Sequence, residues 1–203
     1  MKLIGMLDSP YVRRVAISLA EQGLTFEHDP ISVFSGFAAF AAINPVVKAP
    51  TLITDEGIVL MESTLILEHA ALLAPDVPLA PAGIRDHAKS QRIIGLGLAA
   101  CEKAVQIVYE HNLRPPEKRH APWIDRVQGQ LAAALRLLDQ EIGTTTPWIF
   151  GPRMLQADIT SAVAFRFVRE MLPEMVRAGS FPALDGLSTR AEETGAFLRF
   201  PFR

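Results

Sequence analysis

The chain has 203 residues, 49% of them hydrophobic and 21% charged, with a formal net charge of -2. That length fits one or two domains and buries roughly 70% of the unfolded surface, so a core can form without disulfide or metal staples. Twenty basic against twenty-two acidic side chains, with no block of like sign, leave no electrostatic footprint for nucleic acid or an anionic membrane, and neither is expected as a partner.

Met1 to Met6 carries one lysine and an apolar stretch too short for a signal-peptide core or a membrane span, so a cytoplasmic protein is expected. Lys2 to Met6 reads as a short buried strand. Ser9 followed by Pro10 marks a helix start, with serine at the cap and proline where a missing N–H costs nothing. Val12, Val15, Ala16, Leu19 and Ala20 then form one apolar face, and Gly23 supplies the stop. Thr25 to Ile31 reads as a second strand, which makes the helix the crossover of a parallel βαβ unit. Arg13 and Arg14 are expected in solvent, with an interface role as the lesser alternative.

After an irregular or helical piece and Asn44-Pro45, two β-prone runs, Thr51 to Thr54 and Ile58 to Met61, flank Asp55-Glu56-Gly57 and predict an antiparallel hairpin. Leu65, Ile66, His69, Leu72 and Leu73 fall at helical spacing over Ser63 to Leu73. Three prolines between Pro75 and Pro81 exclude a helix and stiffen a connection. Beyond it strand signals stop. A long helix is expected over about Arg85 to Asn112, ended by Pro115-Pro116. Ile124, Val127, Leu131, Leu135, Leu138 and Ile142 step along a second, and Gln156 to Met171 is apolar on most sides, as a central helix is. The expected organisation is residues 1–75, a linker over 76–84, and an all-helical part over 85–203.

The five histidines show no metal-binding spacing, so no metal is expected. The single cysteine, Cys101, offers neither a disulfide nor a CxxC pair and reads as buried filler. Any thiol chemistry must therefore use a thiol brought from outside. On spacing alone Ser9 is a helix cap, Glu62-Ser63 an acidic helix start, and Ala49-Pro50 the end of a loop.

Taken in order, Ser9-Pro10-Tyr11-Val12-Arg13-Arg14, then Asn44-Pro45-Val46-Val47-Lys48-Ala49-Pro50, Glu62-Ser63, Pro147-Trp148-Ile149-Phe150-Gly151 and Ala157-Asp158-Ile159 resemble the cytosolic, soluble glutathione S-transferases, specifically a bacterial serine-type member. The resemblance covers nearly the whole chain. It implies an α/β plus all-α fold: a thioredoxin-like, glutathione-binding N-terminal domain and an all-helical glutathione transferase C-terminal domain that holds the acceptor substrate.

The resemblance also implies roles. Ser9 would be the catalytic hydrogen-bond donor to the glutathione sulfur, unless it is only a cap. Ala49, before a cis Pro50, would meet the cysteinyl backbone of glutathione, and Lys48 would pair with the glycyl carboxylate or stay solvated. Glu62 and Ser63 would hold the γ-glutamyl end. Tyr11, Tyr109 and His111 are candidates for the acceptor pocket. Glutathione is then a co-substrate, a small hydrophobic electrophile the acceptor, and a homodimer the expected assembly. Glutathione-dependent isomerisation, peroxide reduction and a non-catalytic regulatory module remain open alternatives, whereas a serine in place of cysteine at position 9 disfavours thiol-disulfide exchange. Pro152 and Leu155 depart from the family pattern, and Leu155 cannot cap the helix that follows it.

Overall fold

β1 (Lys2–Ile4) runs inside a four-stranded sheet and is flanked on both edges, which is why Leu3 and Ile4 lose all exposure to solvent. The computed structural model describes residues 1–144 and 146–203. Chain contacts divide it into one unit of Met1–Leu79 with Glu193–Arg203, and a second of Ala80–Glu192.

In the first unit α1 (Pro10–Glu21) connects β1 to β2 (Glu27–Asp29), α2 (Phe37–Ile43) leads to the hairpin of β3 (Thr51–Ile53) and β4 (Val59–Met61), and α3 (Ser63–Leu73) closes the series. The sheet order is β2-β1-β3-β4, parallel between β1 and β2 and antiparallel elsewhere. The βαβ unit and the hairpin are thus where the β-prone runs and the Asp55-Glu56-Gly57 turn put them, with each strand trimmed to three residues. A thioredoxin-like domain results. Its core is built from Leu3, Ile4, Val12, Val15, Ala16, Leu19, Phe40, Leu52, Ile66 and Ala70, none with measurable exposure.

Two sequence expectations change here. Residues 193–203, assigned by pattern to the helical part, pack with the first unit, where α8 (Gly195–Arg199) lies against α1. Arg13 and Arg14 are buried, at 1% and 2% exposure, rather than solvated. The tail supplies what Arg13 needs: its Nε donates to the Phe200 carbonyl at 2.9 Å, and its guanidinium lies 5.2 Å from the centre of the Phe197 ring. Phe200 in turn stacks on Phe26 at 5.4 Å. Ile17, one helical turn beyond Arg13 and Arg14, is also fully buried.

The second unit is helical: α4 (Ile84–Leu113), α5 (Ala121–Ile142), α6 (Gln156–Met171) and α7 (Pro182–Glu192). α4 packs on both α5 and α6, and α6 on α7. Every residue from Ala157 to Phe165 is buried, so α6 is the central helix that its all-round apolarity predicts. Gly97 allows α4 to approach it closely, because a Cβ there would stand 3.1 Å from the Thr160 methyl. Cys101 is buried, at 2% exposure. No helix among the described residues is long and apolar enough to cross a membrane.

α6 begins without a side-chain acceptor at Leu155, as its chemistry requires. Asp158 takes over from inside the first turn. Its two carboxylate oxygens accept the Ile149 and Leu155 N–H groups, both at 2.9 Å, in the reverse half of a capping box. Burial nevertheless pushes its carboxyl above the ordinary aspartate value, against the pull of those N–H groups.

Candidate functional site

Strand register gathers the segments that carry the motifs. Ile4 pairs with Thr51 across β1 and β3, and Thr51 with Met61 across β3 and β4. The residues that follow β1, precede β3 and follow β4 therefore leave the sheet at one edge. These are Gly5 to Ser9, Ala49-Pro50 and Glu62-Ser63. The first approach is close enough to require glycine: Gly5 has φ 135°, and a Cβ on it would stand 3.2 Å from the Ala49 Cβ. α1 and α3 both begin at this edge, so two positive dipole ends face the same region.

Ser9 caps α1. Its backbone is extended, at φ -70° and ψ 121°, its Oγ accepts the Val12 N–H at a long 3.4 Å, and the side chain is half-buried. Accepting that bond uses a lone pair and leaves the hydroxyl hydrogen available for another acceptor. Desolvation raises the neighbouring Asp8 carboxyl above its ordinary value, with the Ser9 N–H pulling the other way. Tyr11 lies half-buried in the same first turn.

The Ala49-Pro50 peptide is cis, and Ala49 lies outside the β3 ladder. The preceding loop is shaped by Asn44, which is 2% exposed. Asn44 Nδ2 donates to Thr51 Oγ1 at 2.9 Å, its Oδ1 accepts the Val46 N–H at 3.1 Å, and Thr51 Oγ1 donates to the Lys48 carbonyl at 2.8 Å. Lys48 itself is exposed. Nothing in the Asn44-Pro45 pair announced this network beyond the turn preference of asparagine.

Glu62 occupies a left-handed conformation, at φ 76°, that only glycine adopts without strain. Its Oε1 accepts the Ser63 N–H at 3.0 Å. Ser63 is fully buried, and its Oγ accepts from the Arg14 guanidinium at 3.0 Å, with Thr64 Oγ1 at 3.4 Å. Sequence reading missed Arg14 because its position lies off the apolar stripe of α1. The one sign was Ile17 three residues on, which marks that face as covered too.

Tyr109 and His111 lie on α4 in the second unit, Tyr109 exposed and His111 half-buried. Two residues apart on a helix they are separated by about 200°, so the structure does not bring them to one surface. Among the described residues no group of His, Cys, Asp or Glu side chains is placed to hold a metal ion.

Known proteins share this architecture and parts of the sequence. The family profile for the glutathione S-transferase N-terminal domain matches residues 3–78. The GST-like protein YibF of Escherichia coli is 37% identical over 93 residues, which span 46% of this chain and 45% of that protein. The maleylacetoacetate isomerase of Pseudomonas aeruginosa is 30% identical over 171 residues, covering 78% of this chain and 77% of its own. Among solved structures, a glutathione S-transferase from Methylobacterium radiotolerans in complex with glutathione sulfonate superposes with a TM-score of 0.91 at 29% identity, covering 100% of this chain and 95% of the other. With a sheet edge of this construction and relatives that extend over both units, the chain belongs to the glutathione S-transferase family.

Proposed function

We propose that this chain binds glutathione at the sheet edge and activates its thiol for attack on a small hydrophobic electrophile. The observation that carries the reading is the convergence of two helix N-termini, one capped by Ser9 and the other opened by Glu62-Ser63, on one edge fixed by strand register. A helix N-terminus suits a carboxylate. In this reading Glu62 turns from the Ser63 N–H to the γ-glutamyl ammonium, and the ligand's α-carboxylate takes that N–H in its place. Ala49 meets the cysteinyl backbone and Lys48 the glycyl carboxylate. The solved Methylobacterium radiotolerans relative, which carries glutathione sulfonate, supports the same ligand class.

The energetics are adequate for serine as donor. A thiol with a pKa of about 8.5 is only a few per cent ionised at neutral pH, and lowering that value by one to two units takes about 1.4 to 2.7 kcal/mol. A hydrogen bond to a charged group contributes about 1.5 to 3 kcal/mol, and a helix N-terminus adds about 0.3 to 1 kcal/mol. Ser9 at the start of α1 supplies both. Its role is to donate to sulfur, neither as nucleophile nor as base.

A second reading is glutathione-dependent isomerisation, favoured by the 30% identity to a maleylacetoacetate isomerase across 77% of that protein. Both reactions use the same activated thiolate. We further read the assembly as a two-fold homodimer in which Ile58, just before β4, Val59 on β4, and Leu65 and Leu72 on α3, all exposed, are covered by the partner. Sedimentation at micromolar concentration showing only the 22.2 kDa monomer would remove that assembly.

The test of function is the thiolate absorbance of the glutathione complex against pH, in wild type and Ser9→Ala. The donor role predicts a pKa raised by about one to two units in the variant. Superimposable titrations would leave Ser9 as a cap alone. A panel of aryl halides, enals, peroxides and maleylacetoacetate, run on the same preparations, separates conjugation from isomerisation. Wild-type protein with no calorimetric signal at millimolar glutathione sinks the ligand reading itself.

A further inference from the structure

β2 has no part in the chemistry above, yet its middle residue reaches the segment that leads to Ser9. His28 Nε2 lies 2.8 Å from the Gly5 carbonyl, and since a carbonyl only accepts, that ring nitrogen donates. The imidazole stands nearly perpendicular to the Phe200 ring, with centroids 6.5 Å apart. We propose that His28 is a positioning residue for Ser9, acting through the Gly5 carbonyl, and that Phe200 of the C-terminal tail holds the imidazole in place. The proposal rests on the reading of Ser9 as sulfur donor and deepens it.

Gly5 to Ser9 is a short segment fixed at both ends. At its start the Gly5 N–H donates to the Asp29 carbonyl at 3.0 Å while the Gly5 carbonyl accepts from His28, so β2 holds both sides of that residue. At its end the Ser9 N–H donates to the Met6 carbonyl at 3.2 Å, and the Ser9 carbonyl accepts the Arg13 N–H at 2.9 Å. Gly5 has φ 135°, and a glycine has few steric limits of its own, so its hydrogen bonds select the direction in which the chain leaves β1. Gly5 is also buried, and a buried carbonyl deprived of its donor turns toward another partner rather than staying unbonded. The direction of the Ser9 hydroxyl follows from this path, and a hydrogen bond to sulfur weakens steeply as its angle worsens.

The tail brackets the segment. Phe26 and His28 share a face because side chains alternate along an extended chain, and Phe200 meets both, stacking on Phe26 at 5.4 Å. The Phe200 carbonyl accepts Arg13 Nε at 2.9 Å, on the helix that Ser9 begins. One buried residue thus meets the partner of Gly5 with its ring and the partner of Ser9 with its carbonyl. Glu27 and Asp29, on the opposite face of β2, turn to Lys2 at 3.4 Å and 2.8 Å and do not duplicate the link.

The experiment titrates the thiolate absorbance of the glutathione complex in the full chain as wild type, His28→Leu, His28→Gln, Ser9→Ala and the Ser9→Ala/His28→Leu double variant. Calorimetry with S-methylglutathione, which has no thiol to ionise, reads binding separately. His28→Leu should raise the pKa of the bound thiol by about half a unit to one unit and change S-methylglutathione affinity by less than about twofold. His28→Gln, whose amide nitrogen can donate to Gly5 in place of Nε2, should return the pKa to within about 0.3 unit of wild type. In the Ser9→Ala background His28→Leu should add less than about 0.3 unit, because the donor it positions is gone. An unshifted His28→Leu titration, a glutamine variant that behaves like leucine, or a full shift in the Ser9→Ala background each overturn the proposal. Should His28→Leu fail to fold, Phe200→Leu, which keeps an apolar filler but removes the ring against His28, must still raise the pKa and spare S-methylglutathione. Wild type that binds neither ligand, or a Ser9→Ala titration identical to wild type, removes the underlying reading and this proposal together. A shift in Ser9→Ala with none in His28→Leu removes only the proposal.

Discussion

α3 and α6 both begin beside a carboxylate, and they use it in opposite ways. At α6 the carboxylate sits inside the first turn. Asp158 is fully buried and both its oxygens are held by fixed backbone N–H groups at 2.9 Å, so nothing remains to offer a ligand. At α3 the carboxylate belongs to the residue before the helix. Glu62 is half-buried, sits on a strained backbone with φ 76°, and has one short-range bond, to the Ser63 N–H beside it. A helix start closed by its own aspartate is a folding device. One held open by a strained glutamate, with an arginine bonded to its first serine, is suited to exchanging partners.

The contrast can be broken by substitution, and the largest effect belongs to α6. Asp158→Ala leaves two buried N–H groups without acceptors and should cost about 2 to 4 kcal/mol of stability by denaturant unfolding. Glutathione affinity, measured where the variant is still folded, should be unchanged; a large loss there would mean that the α6 start is more than structural.

At α3 the order of effects reverses. Glu62→Gly should weaken glutathione about tenfold through loss of the ammonium partner. Stability should stay within about 1 kcal/mol, because relief of the left-handed backbone offsets the lost cap. A variant that binds normally, or that unfolds like Asp158→Ala, would erase the distinction between the two helix starts.

Titration sharpens it further. Burial raises the Asp158 carboxyl in the folded state, so its contribution is fully present below the unfolded-state pKa and is lost as pH rises through the folded-state value. Asp158→Asn has no such term. The stability advantage of wild type over Asp158→Asn should therefore shrink as pH rises from about 4 to about 7, read from paired unfolding midpoints. A difference that widens over that range would show that the two N–H groups, rather than burial, control the carboxyl.

The smallest effect completes a missing cap. Leu155→Ser restores the acceptor that α6 lacks and should stabilise the protein by about 0.5 to 1 kcal/mol without altering ligand binding, provided the apolar contacts of the 7% exposed leucine are not lost in greater measure. A net destabilisation would show that packing at Leu155 outweighs capping.

Sequence alone determined the features whose causes are local. Serine before proline starts a helix, Asp55-Glu56-Gly57 turns a hairpin, three- and four-residue spacing draws α5, and a helix apolar all round must be central, as α6 is. The ordered motifs also named Ser9, Ala49-Pro50 and Glu62-Ser63 before any coordinates placed them. What only the tertiary structure decided is where distant segments meet. The alignment of Ile4, Thr51 and Met61 puts the motif segments at one edge, because register is a property of strand pairs and no single strand encodes it. α7 and α8, of 11 and 5 residues, were not read from the sequence. The tail from Glu193 to Arg203 folds back on α1 and meets Arg13, while α3 meets Arg14, two arginines that local pattern gave to solvent, since burial depends on what arrives from elsewhere in the chain. Arg14 reaches Ser63 across 49 residues of sequence, and a contact that long-range follows from how α1 and α3 pack rather than from any motif.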